Sequence, residues 1–329
     1  MTMTKSATKS ALSLTALAGV LALLQVTPTE AAETKPIKVW VSAYGADSAT
    51  CGTISAPCLG LQQAVNNVIP GGDVGILTPL DFGLPLNITY SVNITNDGAG
   101  EASIVGTTAA IGIGAGVGDV ISLRGLVIDG QGVGFVGISI GTANAVHVQN
   151  CVIRNILRFG INVENPANLQ LFVSDTMIFN NGSIASTSGI AILPVNNASV
   201  TAVLDRIHLE NNVIGISVDG GLTQGNGARV VLRNSVVSGN AADGILARTQ
   251  SGQSPAYIIV EHSTIVNNAG NGIKADGPRA IAILNDDTIA RNGTGISAVN
   301  SGQIISFGNN KNFNNLGPEG TPTGFFSQM

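Results

Sequence analysis

The chain has 329 residues, a formal net charge of −5, 11% charged and 4% aromatic residues, and 42 glycines. Glycine and the many Val, Ile and Asn have poor helix propensity, which excludes a mainly helical protein and favours short strands joined by tight turns. The mild acidity carries no basic stripe, so the electrostatic footprint of nucleic-acid binding is missing.

Residues 1–31 have the three-part plan of a secretory signal peptide: Lys5 and Lys9, the apolar run ALSLTALAGVLALLQV, and the small-residue site TEAAE, with Ala31 before the cut and Thr29 at −3. The alternative is a retained membrane anchor, but the run is shorter than the roughly 20 residues that cross a bilayer. No second long apolar segment follows, so the mature chain is expected to lack a transmembrane segment and to be exported, to the periplasm or the extracellular space. Cys51 and Cys58 flank GTISAP, whose Gly and Pro suit a closed turn, and an oxidising compartment would join them in a disulfide. A metal or redox pair is the competing use, without a CxxC or a nearby histidine cluster to accompany it.

Next come LNITYSVNITNDGAGEASIVG from Leu86 and AAIGIGAGVGDVISLRGLVIDG from Ala109, which alternate as strands do but whose glycines leave the register open. A repeat then becomes plain. VHVQNCVIRN, FVSDTMIFNN, VLDRIHLENN, VLRNSVVSGN, IVEHSTIVNN and ILNDDTIARN share apolar anchors at Val148, Val173, Leu204, Leu232, Val260 and Leu284, with Leu123 as an earlier equivalent. A period in the twenties marks a stacked solenoid. The anchor, the residue three further on and the residue five further on are apolar or small and should face inward; Cys151 shares its slot with Thr176, Ser235 and Ser263, which makes it a small core residue. Asn181, Asn212, Asn240, Asn268 and Asn292 recur at a corner, where they would supply left-handed backbone and a hydrogen-bonded ladder. Gly-Ile pairs open the next stretch at Gly160, Gly189, Gly215, Gly244, Gly272 and Gly295, with glycine again assigned to a left-handed corner. The last coil is expected at IISFGNN with Phe307 as its anchor. Residues 317–329 then form a tail, in which Phe325 and Phe326, with Phe313 just before, would cover the open end; a partner-docking tail is the alternative.

Short V-x-x-S/T-x-I-x-x-N segments followed by Gly-Ile, behind a signal peptide, resemble the right-handed parallel β-helix of the pectin-lyase-like superfamily. The resemblance implies an all-β solenoid over residues 36–316, with an N-terminal cap over 36–75. Within that cap Leu61, Ala64, Val65 and Val68 lie at the spacing of a short amphipathic helix. It does not imply an activity, because the superfamily holds lyases, hydrolases, epimerases, phage spikes and adhesins.

Superfamily enzymes carry their active residues on outward faces. Outward slots place Asp205, His208, Glu210, Arg233 and Glu261 on the same or adjacent coils, where a carboxylate beside a basic group would serve acid–base chemistry on an acidic glycan. The competing account is a charge ladder of alternating sign, worth a fraction of a kcal/mol per pair. No complete catalytic signature of the superfamily is present. Asp286-Asp287 is an isolated match to the polygalacturonase-like set, with Asp287 in an inward slot, and GPR at Gly277 stops short of the pectate-lyase-like RxPxxR. His147, His208 and His262 fall in different slots, so no metal and no cofactor is expected. The single Trp40, with Tyr44, Tyr90 and Tyr257, forms no aromatic-lined cleft. The sequence leaves catalysis open and points away from it: the expectation is a non-catalytic exported protein presenting a long face to polysaccharide or another surface partner. The alternatives are a polysaccharide lyase, hydrolase or epimerase, and a spike or adhesin stalk in which several solenoids associate.

Overall fold

The computed structural model describes residues 35–83, 85–221 and 224–327, together with Thr2. The expected signal peptide, apart from Thr2, lies outside the described residues. From Lys35 onward the chain winds as a solenoid of three parallel sheets, of 12, 10 and 9 strands among the described residues. One coil shows the plan: Gly227–Arg233 in the first sheet, Val236–Ser238 in the second and Ile245–Arg248 in the third. Each strand pairs with its equivalents one coil before and one coil after.

The repeat in the sequence is the register of the sheets. Leu123, Val148, Val173, Leu204, Leu232, Val260 and Leu284 are successive Cα partners in the first sheet. All of them are buried, as are Ile128, Ile153, Ile178, Leu209, Val237, Ile265 and Ile289 from the second. Each such side chain removed from water contributes roughly 1.5–3 kcal/mol, so the column of inward anchors stacks the coils.

The corner between first and second sheets is a single left-handed residue: Gly125, Asn150, Asp175, Arg206, Asn234, His262 and Asp286 all have φ between 50° and 72°. The next residue turns inward, and its side chain caps the coil before it. Thr176 Oγ1 accepts the Cys151 amide, Ser235 Oγ accepts that of Ile207, and Ser263 Oγ accepts that of Ser235.

The second corner corrects two sequence expectations. The recurring asparagines are not the left-handed residues; the residues before them are, at Asn180, Asn211, Gly239, Asn267 and Arg291. This frees Asn181, Asn212, Asn240, Asn268 and Asn292 to point into the core, each at most 1% exposed. Asn240 Nδ2 donates to Asn268 Oδ1 at 2.7 Å, and Asn268 Nδ2 to Asn292 Oδ1 at 2.8 Å. The chain of bonds continues to Asn315, whose Oδ1 lies 3.0 Å from Asn292 Nδ2 and whose own Nδ2 donates to Asn312 Oδ1 at 2.9 Å. The glycines of the Gly-Ile pairs also lack positive φ. They are glycine because a Cβ on Gly215 would lie 2.5 Å from the Gly244 carbonyl oxygen, and one on Gly244 2.7 Å from that of Gly272.

At the N-terminal end the helix Leu61–Asn67 buries Leu61, Ala64 and Val65, and Val68 follows it into the core. Gln62 ties it to the strand Leu86–Ile88, accepting the Asn87 amide at 2.7 Å and donating to the Asn87 carbonyl at 3.1 Å. Cys51 and Cys58 form a disulfide beside it. At the other end Ser306, not Phe307, is the partner of Leu284 and takes the inward position. Phe307 faces out against Phe326, with ring centroids 5.4 Å apart. Gly324–Phe325 pairs with Ile305–Ser306, so residues beyond 316 add a strand to the first sheet. Phe313 and Phe325 stay exposed and do not plug the core.

Candidate functional site

The five outward residues singled out in the sequence separate into two groups. On the second sheet His208 Nδ1 lies 2.9 Å from Glu210 Oε1, an exposed hydrogen-bonded pair. At the first corner Asp205 is largely buried, against the outward position its slot implies, because three neighbours close over it. Arg206 Nη1 bonds to its Oδ2, Asn234 Nδ2 donates to Oδ1 at 2.9 Å, and Arg233 Nε lies 3.3 Å away. Arg206 also grips Asp175 through two bonds of 2.6 and 2.9 Å, which holds the Asp175 carboxyl below the usual carboxylate range. Glu261 is the register partner of Arg233 but has no ion-pair partner among the described residues. Asp205 is thus a structural acceptor in a corner network, and the His208–Glu210 pair stands apart from it.

The other histidines are placed differently again. His147 stacks on Phe172 at 4.7 Å between centroids, and burial holds its imidazole below its ordinary value. His262 occupies the left-handed corner, 3.6 Å from Asp286. Cys151 is buried, and desolvation pushes its thiol up to about 11, which rules it out as a thiolate nucleophile.

A different surface brings several polar and charged groups together, with Ala191 and Leu246 buried between them. On the third sheet the strands after each Gly-Ile pair present Ser139, Asn162, Ala191, Ser217, Leu246 and Lys274 as one row of register partners. A second row runs through Asp219, Arg248 and Asp276. Arg248 Nε donates to Asp219 Oδ2 at 3.0 Å, and Lys274 Nζ lies 3.2 Å from Asp276 Oδ2. Asn300 Nδ2 donates to Asp276 at 2.7 Å and, with Lys274, holds that carboxyl below its usual range.

Between these rows and the segment around Ser186 lies a cleft of about 160 Å³, lined by Arg158, Phe159, Asn162, Glu164, Ser188, Ser217, Asp219 and Arg248 among others. Arg158 lies over the Phe159 ring, 5.3 Å from its centroid, and like Glu164 has no ion-pair partner among the described residues. Ser188 Oγ is buried and has no hydrogen-bond partner among the described residues. Buried hydroxyls are rarely left bare, because an unpaired one costs about 1–3 kcal/mol. Guanidinium, amide, hydroxyl and carboxylate groups from successive coils, about 4.8 Å apart, thus line one cleft. These side chains offer both donors and acceptors, as recognition of a polyol requires.

The anchor spacing does not announce this row, because it lies on the strand that follows each Gly-Ile pair. The available signal was the residue two after each Gly-Ile glycine, Asn162, Ala191, Ser217, Leu246 and Lys274, whose variation contrasts with the constant glycine.

The family model for the right-handed β-helix region matches residues 136–312, and the chain belongs to that family. Its fold is the pectin-lyase-like right-handed β-helix. Pectate lyase Pel9A superimposes with a TM-score of 0.64 at 13% identity, over 88% of this chain and 78% of that one. The alginate lyase of Paenibacillus sp. str. FPU-7 does so with a TM-score of 0.53 at 14% identity, over 87% of this chain and 97% of that one. At such identities the likeness is one of fold. No curated protein sequence matches the chain significantly.

Proposed function

We propose that this protein is an exported, non-catalytic β-helix that binds polysaccharide along the outward face of its third sheet. The observation that carries the proposal is the cleft lined by Arg158, Asn162, Ser217 and Arg248, with Ser188 Oγ buried in its wall and without a partner among the described residues. The two lyases that share the fold are named for polysaccharide substrates, which supports a glycan as the ligand class. Export rests on the signal-peptide pattern of residues 1–31, and the Cys51–Cys58 disulfide agrees with an oxidising compartment.

Binding fits two of the carboxylates on that face: Asp219 is held in an ion pair by Arg248, and Asn300 and Lys274 hold the Asp276 carboxyl below its usual range, which suits both to accept hydrogen bonds. A glycan array read together with an absorbance assay for unsaturated product tests the proposal. Retention of a polysaccharide without product, weakened about 10-fold or more by Arg248→Ala, is the expected result. Product formation by the wild-type chain, or retention indifferent to both Arg248→Ala and Asn162→Ala, rejects it.

A second reading, a polysaccharide lyase, hydrolase or epimerase, is favoured by one observation, the exposed His208–Glu210 hydrogen bond at 2.9 Å. Turnover of an acidic glycan that is abolished in His208→Ala is its required result.

A further inference from the structure

The outward face of the first sheet differs in kind from that of the third. One residue before each inward anchor, Phe172, Val203, Val231, Ile259, Ile283 and Ile305 are successive register partners, and all six are partly exposed. The strands that carry them have apolar centres, AVL, VVL, IIV and AIL, between outward flanks that hold Thr201, Arg229, Tyr257 and Ile281 on one side and Asp205, Arg233, Glu261 and Asn285 on the other. Apolar centres of that kind belong to sheets covered on both faces. The solenoid core covers one face, and the other is left to solvent.

We propose that this stripe is the interface between two copies of the chain, related by a two-fold axis that lies along the strand direction between Val231 and Ile259. The charges beside the stripe select this arrangement. The axis runs the two solenoids antiparallel and faces each strand column with itself in reverse order. Val231 then meets Ile259 of the second copy, Val203 meets Ile283 and Phe172 meets Ile305. On one flank Arg233 meets Glu261 of the second copy, the carboxylate that has no ion pair among the described residues of its own chain. On the other flank Arg229, which lies 5.2 Å from the Tyr257 ring centroid of its own chain, meets Tyr257 of the second copy. Every contact is made twice, as an isologous interface requires. The other two-fold, along the solenoid axis, sets Arg229 against Arg233 of the second copy and is disfavoured.

The area is sufficient. Six coils at about 4.8 Å and three outward columns, each two residues of about 3.3 Å apart, cover roughly 600 Å² per copy, so that the pair buries about 1,200 Å². That passes the roughly 1,000 Å² that separates specific interfaces from incidental contacts. The third sheet is not used, so glycan binding and pairing are independent properties of the molecule.

Sedimentation equilibrium of the purified chain is the test. The wild type is expected to have twice the chain mass at micromolar concentration, with Ile259→Lys monomeric and its circular dichroism unchanged. If Ile259→Lys fails to fold, Ile259→Thr keeps the β-branched shape and should still weaken pairing. Arg233→Glu should weaken the dimer about 10-fold or more, and Arg233→Glu combined with Glu261→Arg should restore it. A monomeric wild type at high concentration overturns the proposal. So does a dimer indifferent to both Ile259 substitutions, or a double charge exchange that stays as weak as Arg233→Glu alone. Loss of glycan retention in Ile259→Lys without any change in mass assigns the stripe to polysaccharide instead and also overturns it.

Discussion

Asp287 Oδ1 accepts the Ser263 amide at 2.9 Å from a slot that holds a serine one and two coils earlier. Its other oxygen accepts the Asn285 amide at 3.1 Å. The carboxyl therefore continues the inward caps of the first corner, but with a group that ionises. Burial pushes it up to about 7; the charges of Asp286 and Glu261 add to the rise, and the two amides oppose it.

This predicts an unusual pH profile. A carboxyl with a folded pKa above its unfolded value binds more protons in the folded state, so stability falls as pH rises from about 4 to about 7. Carboxyls with depressed pKa, Asp119 through Ser91, Asp175 through Arg206 and Asp276 through Asn300, act in the opposite sense and lose their contribution as pH falls below about 4. Thermal unfolding across pH 3–8 should show a rise and then a decline. Asp287→Ser, which restores the hydroxyl of the equivalent coils, should remove the decline; a wild type that gains stability from pH 5 to pH 7 contradicts the assignment.

The asparagine ladder predicts a large cost for a small truncation. Asn268 Nδ2 donates to Asn292 Oδ1 and to the Val237 carbonyl, while its Oδ1 accepts from the Asn240 side chain and amide. Asn268→Ala strips partners from several buried groups at once, and about 2–4 kcal/mol should be lost in urea unfolding. Asn66→Ala, on the solvent side of the capping helix, should stay within about 0.5 kcal/mol of wild type.

Two glycine substitutions separate close approach from general flexibility. A Cβ at Gly244 would lie 2.7 Å from both the Gly272 carbonyl oxygen and Asn268 Nδ2, so Gly244→Ala should destabilise by about 1–3 kcal/mol through overpacking. Gly118 has open space around its Cβ position and no positive φ, and Gly118→Ala should be neutral or slightly stabilising. Equal effects in chemical unfolding would mean that the coil contact at Gly244 is not tight.

Reduction tests the cap. The Cys51–Cys58 disulfide closes a short loop against which Asn67 Nδ2 donates to the Cys51 carbonyl at 3.0 Å. On the loop-entropy scale its removal costs about 2 kcal/mol. Dithiothreitol should lower the melting temperature by several degrees, and Cys51→Ser with Cys58→Ser should match that loss; hydrogen exchange should quicken first around Leu61–Asn67.

The repeat was legible because inward positions are chemically constrained. A coil accepts only small or apolar groups where Val148, Cys151 and Ile153 sit, so the same kinds of residue recur at Leu232, Ser235 and Val237 and mark the register along the chain. The roles of Asn240 and Gly244 were harder to read, because the same residue types serve left-handed turns and close contacts. Only the backbone angles show that the turn falls at Gly239, leaving Asn240 to bond inward and Gly244 to admit the next coil's carbonyl.

Outward positions obey no such constraint. Arg158, Ser188, Asp219 and Arg248 reach one cleft from four successive coils, up to 90 residues apart, and no spacing in the chain announces them. The solenoid and most of its inward columns follow from the residues alone, because packing acts at every coil in the same way, whereas the joining of Cys51 to Cys58 is given by the structure. What the fold adds is that Asp205 is enclosed while Glu261 has no ion-pair partner among the described residues, and that an apolar column runs up the outside of the first sheet while a polar cleft opens on the third. Those properties depend on which side chains of neighbouring coils come to lie beside one another.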